Sequence, residues 1–137
     1  MKRLHLALIL PCILFSVPAL ADIEPQTQGE VTFVSGGVGG DEQDAMRAMR
    51  SDYNLSLLFS ITGSGEYLSD VKVNITDVSG NTFLNAVSDG PMFLAKLKPG
   101  RYIVTVEQNG QAAHKKVTVE SRQRATLSFT WAQERRD

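Results

Sequence analysis

Leu97-Lys98-Pro99-Gly100-Arg101-Tyr102-Ile103-Val104-Thr105-Val106 is the stretch that decides how this chain folds. Lys98-Pro99-Gly100-Arg101 predicts a type II turn. Proline presets φ at the first central position, and glycine accepts the positive φ required at the second. A strand follows, with Tyr102, Val104 and Val106 on one face. Asn109-Gly110 comes next, a dipeptide suited to the positive φ angles of a tight hairpin. A two-residue loop there pairs Val106 with Ala113, Val104 with Lys115 and Tyr102 with Val117. His114 then faces outward, opposite Thr105. Lys115 falls on the apolar face, which leaves three arrangements open: a wider loop, a bulge, or a sheet edge from which lysine reaches water. A bulge or the edge is the expectation.

Outward from this hairpin the period of two continues. Leu55, Leu57, Phe59 and Ile61 alternate with Asn54, Ser56, Leu58 and Ser60, and Val71, Val73 and Ile75 alternate with Lys72, Asn74 and Thr76. Ser79-Gly80-Asn81 and Asp89-Gly90-Pro91 are turns, with strands at Thr82 to Val87 and Met92 to Leu97. The strand from Gln123 to Trp131 puts Ala125, Leu127, Phe129 and Trp131 on one face. Short strands with turns every eight to twelve residues predict an all-β sandwich. Before them, Val31 to Val34 is a short strand, Ser35 to Gly40 a flexible loop, and Asp41 to Arg50 a short amphipathic helix. Asp41 is its expected cap, Glu42 and Asp44 favour its first turn, and Ala45, Met46 and Met49 share a face. A helix this short depends on docking against the sheet.

Lys2 and Arg3, the apolar run from Leu4 to Val17 and the Ala19-Leu20-Ala21 small-x-small site predict a signal peptide over residues 1–21, cleaved after Ala21. That run is short for a membrane span and interrupted by Pro11 and Pro18. Cys12 follows Pro11, against a lipidated cysteine, so the mature chain is expected to hold no disulfide. Of 137 residues, 116 follow the cleavage site. They suit one domain, which buries about two thirds of its unfolded surface. Without Lys2 and Arg3, 12 basic residues face 15 acidic ones, a net charge of −3. This disfavours a nucleic-acid role. The expected organisation is a flexible lead-in over 22–28, a sandwich domain over 29–132 and a polar tail over 133–137.

Val71-Lys72-Val73-Asn74-Ile75-Thr76-Asp77, Ser79-Gly80, Ser88-Asp89-Gly90 and Leu97-Lys98-Pro99-Gly100-Arg101-Tyr102-Ile103-Val104 together resemble a carboxypeptidase regulatory-like domain. That group is similar to Cna B-type and transthyretin-like modules. The resemblance covers about residues 67–120. It implies an immunoglobulin-like or prealbumin-like antiparallel β-sandwich; with the strands and helix read above, the expected fold is mainly β, of about seven strands with one short N-terminal helix near residues 41–50. It also implies a non-catalytic protein often classed with carbohydrate-binding-like folds. Residues 29–66 fall outside the pattern and look like the N-terminal part of small exported bacterial proteins. Some Cna B-type modules carry an internal Lys–Asn bond. The closing strand, Arg124 to Thr130, has no asparagine to make it, so the bond is not expected.

No catalytic residue, cofactor or metal ligand is assigned. His114 is the single histidine after residue 21 and reads as solvated. Ser64, in Gly63-Ser64-Gly65, lacks the strand-to-helix elbow of a nucleophile. The loop from Gly36 to Gly40 precedes a helix, yet no lysine follows it, and Asp41, Glu42 and Asp44 would repel a phosphate. Those carboxylates match no calcium-loop spacing, and their place in the first helical turn accounts for them. Core packing is the expectation for Phe93, Tyr102, Trp131 and Tyr67, with Tyr67, between the glycine loop and a strand, the first candidate among them for exposure. The expected contact residues lie on three loops: Gly36, Gly37 and Gly39; Tyr67; and Gly90 and Met92. The expected function is a non-enzymatic binding or interaction module of the bacterial envelope, periplasmic or secreted, with an envelope protein or glycan as partner. Carbohydrate binding ranks second and a hydrolase third.

Overall fold

The computed structural model describes residues 23–133. The expected signal peptide, its cleavage point and the tail from residue 134 lie outside them. Nine strands and one short helix run in the order β1 (Gln26–Gln28), β2 (Val31–Gly36), α1 (Gly40–Met49), β3 (Leu55–Ile61), β4 (Val71–Asp77), β5 (Thr82–Ser88), β6 (Met92–Lys96), β7 (Gly100–Gln108), β8 (Gln111–Val119) and β9 (Ala125–Trp131). They form two packed sheets, β1-β2-β6-β3-β9 and β5-β4-β7-β8. The mainly β sandwich with one short helix is the expected class, with nine strands instead of about seven. Its pairings are antiparallel except β3 with β9, which run parallel from Leu55↔Ala125 to Ile61↔Trp131.

The hairpin of β7 and β8 has the register that the Asn109-Gly110 turn dictates. Val106 pairs with Ala113, Val104 with Lys115, Thr105 with His114 and Tyr102 with Val117. Asn109 and Gly110 have φ of 50° and 78°, the left-handed pair that a two-residue hairpin needs. No bulge interrupts the pairing. Lys115 sits on the edge strand β8, where its Nζ donates to the Ser128 carbonyl at 2.6 Å and lies 5.2 Å from the centre of the Phe129 ring. The edge arrangement accounts for a lysine on the apolar face.

Several expectations are corrected. Gly100 is not in the left-handed region, so Lys98-Pro99-Gly100-Arg101 is not a type II turn. Gly100 is instead the first residue of β7, paired with Val119, and the Tyr102 hydroxyl donates to the Lys98 carbonyl at 2.7 Å. The side chain ties the corner that backbone φ was expected to make. Asp41 does not cap α1. Gly39, with φ 83°, is the cap residue, and Asp41 already lies in the first turn. Gln28 and its two neighbours, expected in the lead-in, pair with β2 from Gln26↔Phe33 to Gln28↔Val31. Ser35 and Gly36, expected in a loop, extend β2 and pair with Phe93 and Met92.

The main core lies between the sheets. Phe33 stacks on Phe93 at 5.5 Å, and Phe59 meets Phe129 at 6.3 Å and Trp131 edge-on at 6.1 Å. Val71, Val73 and Ile75 of β4 and Val104 and Val106 of β7 close it from the other sheet. A second cluster lies on the outer face of the five-stranded sheet, where Met46 of α1 packs with Val34, Tyr53, Met92 and Leu94. The helix is held by this burial, as its length requires.

Candidate functional site

The three loops singled out from sequence lie at the same end of the sandwich. β2 finishes there at Gly36, β3 at Ile61, β5 at Ser88 and β9 at Trp131, while β6 starts there at Met92. The hairpin of β7 and β8 turns there as well, at Asn109-Gly110. Ile61↔Trp131, Leu58↔Met92 and Gly36↔Met92 tie these ends together.

The loops differ in what they present. Gly36, Gly37, Gly90 and Met92 are buried, so they cannot be surface contacts. A methyl at Gly90 would collide with the Gly36 carbonyl, and one at Gly37 would lie 2.9 Å from the Met92 side chain. These glycines let two backbones approach, which is a packing role. Gly39 and Tyr67 are exposed, Tyr67 at 45 %. The segment 61–67 folds back on β3: the Ile61 N–H donates to the Glu66 carbonyl at 2.7 Å, and Tyr67 bridges Ser60. The bridge sets Tyr67 on the outer face of the sheet beside Ser60. Phe93, Tyr102 and Trp131 are buried at 0 %, 5 % and 6 % exposure, and His114 is exposed.

A cleft of about 160 Å³ opens at this end, lined by Ile61, Leu68, Gln108, Asn109, Gln111, Trp131 and Ala132. The Trp131 indole N–H donates to the Gln111 carbonyl at 3.0 Å, which fixes the ring against the hairpin. The cleft thus joins an apolar surface to three neutral amide side chains. Such amides offer donors and acceptors without charge, and an apolar wall with a few placed polar groups is the usual make-up of a ligand site. Its volume is below the roughly 300–1,000 Å³ of drug-sized pockets, so it suits one ring or one side chain. Sequence reasoning missed Gln108 and Gln111. They flank the Asn109-Gly110 turn, but only the parallel pairing of β9 with β3 brings Trp131 to them.

At the opposite end a larger basin of about 460 Å³ is lined by Ser51, Asp52, Tyr53, Asn54, Lys96 and Ser121. Burial, and then the Asp52 charge, push the Tyr53 phenol above its ordinary range. Asn54 forms the floor, donating to the Leu97 carbonyl at 2.6 Å and accepting from the Leu97 N–H at 2.9 Å. Most of this wall is hydrophilic and can be satisfied by water, so it offers less drive for binding than the Trp131 cleft. Among the described residues, no group of three or more His, Cys, Asp or Glu side chains is placed to hold a metal ion, and no helix is long and apolar enough to cross a membrane.

No protein-family model matches the sequence, and no curated protein matches it. Among solved structures, Klebsiella pneumoniae 5-hydroxyisourate hydrolase is similar at 21 % identity over 57 % of this chain and 88 % of that one, with a TM-score of 0.46. The activity in that name belongs to that protein.

Proposed function

We propose that this chain is an exported, non-catalytic binding module of the bacterial envelope, and that it engages a protein partner through the loop-bearing end of the sandwich. The observation that carries this reading is the convergence of the exposed Tyr67 segment, the 108–111 hairpin and the Trp131 cleft at one end of a packed scaffold. Loops held by a rigid scaffold are where binding residues concentrate. Tyr67 supplies a large contact surface with few rotatable bonds, and the cleft accepts one inserted side chain. The resemblance of residues 67–120 to carboxypeptidase regulatory-like domains supports a binding role over a catalytic one. A carbohydrate ligand is the second reading, favoured by the indole and the amides that share the cleft.

The test is capture from the cell envelope after mild crosslinking, read by mass spectrometry, with wild type beside Tyr67→Ala, Gln108→Ala and Asp52→Ala. A protein partner retained by wild type and Asp52→Ala, but reduced about tenfold or more in the other two, is the expected result. Retention of glycan fragments in place of a protein puts the carbohydrate reading first. Equal capture by all four proteins removes this end as the contact surface.

A further inference from the structure

The two open sides of the sandwich are closed differently. On one side, β8 and β9 are tied by Lys115 to the Ser128 carbonyl and by Trp131 to the Gln111 carbonyl. The charged lysine points inward and blocks that edge against another strand. On the other side, β5 forms the edge of the four-stranded sheet, facing β1 and β2. The Asn85 N–H donates to Gln28 Oε1 at 2.7 Å, and Gln28 Nε2 donates to the Asn85 carbonyl at 3.1 Å. One primary amide therefore fills both backbone positions of one edge residue, as the N–H and C=O of a single opposing residue in an added antiparallel strand would. Four residues on, the Asp89 N–H donates to Ser35 Oγ at 3.0 Å. Between them stands Val87, whose side chain is 52 % exposed. By the alternation of an antiparallel ladder, its backbone groups lie on the same outward edge as those of Asn85.

The strand itself, Thr82-Phe83-Leu84-Asn85-Ala86-Val87-Ser88, holds no charge and no proline. Seven such residues on an edge are a template for strand pairing. Antiparallel pairing with an identical strand would set no like charges opposite each other. The closing group is neutral, exposed, and carried by a three-residue strand that is itself exposed throughout.

We propose that β5 is a self-association edge, and that two copies of this chain pair their β5 strands antiparallel when the Gln28 amide leaves Asn85. In that pairing the partner's backbone replaces the two bonds given up at Asn85 and adds bonds at Val87. The inference uses residues separate from the Trp131 cleft and stands apart from the function proposed above.

Sedimentation equilibrium on wild type, Gln28→Ala and Gln28→Ala/Val87→Lys tests it, with circular dichroism to check each fold. Two lost hydrogen bonds tighten self-association of Gln28→Ala by about tenfold or more, and lysine at the edge reverses it. Association of Gln28→Ala no stronger than wild type, or association that the lysine leaves unchanged, overturns the proposal. Where Gln28→Ala loses its native spectrum, Gln28→Glu replaces it. That variant keeps the acceptor for the Asn85 N–H and loses the donor to the carbonyl, so it is expected to associate more than wild type. Failure to do so is equally decisive.

Discussion

Among the described residues, nothing covers the outer face of the four-stranded sheet, whereas the outer face of the five-stranded sheet is covered in part by α1. In β4, Val71, Val73 and Ile75 are fully buried while Lys72 is exposed and Asn74 and Thr76 are half-buried. In β6, by contrast, Met92, Phe93, Leu94 and Ala95 are all buried. Phe93 faces the core between the sheets and Leu94 faces Met46 of the helix. A strand reports itself by a period of two only when one of its faces meets water. β4 is therefore legible in sequence, as are β3 and β9, whereas β6 reads as a short apolar run whose second face becomes explicable only once the helix is placed.

The largest effect that can test this contrast is in the shared core. Phe59 is fully buried and meets both Phe129 and Trp131. Phe59→Ala should lower the unfolding free energy by about 3–5 kcal/mol in urea titration, since it removes a large side chain and leaves a cavity. A loss under about 1 kcal/mol would mean that the sheets do not depend on this core. The next effect separates the two outer faces. Met46→Ala should cost about 2–3 kcal/mol, near the low end for a buried methionine. Asn74→Ala, on the bare face, should change stability by no more than about 0.5 kcal/mol. Equal effects at the two positions would erase the distinction between a covered and an uncovered sheet.

The smallest effect concerns the turn that joins β4 to β5. Asp77 is half-buried, and its carboxyl is held below its ordinary 3.8, first by the Asn81 side chain and then by backbone N–H groups of Asn81 and Ser79. A depressed folded value means that the carboxylate favours the fold above the unfolded pKa. That contribution is lost as pH falls through the lower folded value. Asp77→Asn should flatten the acid side of the pH–stability profile, with little change at neutral pH beyond the loss of the charged acceptor. An acid limb as steep as that of wild type would show that Asp77 does not contribute to it.

The candidate site was half visible. Tyr67 was legible as an exposed aromatic because it follows Gly63-Ser64-Gly65, where the chain must leave the sheet. Gly36, Gly37 and Gly90 read as surface because glycine marks both a flexible loop and a close contact, and the sequence does not distinguish them; Met92, beside the Asp89-Gly90-Pro91 turn, is buried in the cluster that only the placement of α1 creates. Gln108 and Gln111 carried no signal beyond their place beside a turn.

By itself the sequence determined what a few neighbouring residues settle. Asn109-Gly110 predicted a two-residue hairpin, because left-handed backbone angles are a local steric property, but Lys115 on the apolar face left a wider loop or a bulge open until the unbroken pairing of β7 with β8 settled the register. The alternation in β3, β4 and β7 determined which side chains enter the core. Only the tertiary structure decided that β9 runs parallel to β3, that Lys115 lies at an edge, and that the Gln28 amide closes on Asn85. Gln28 and Asn85 are 57 positions apart. Such contacts depend on how two sheets stack, a distance that no local turn or period encodes.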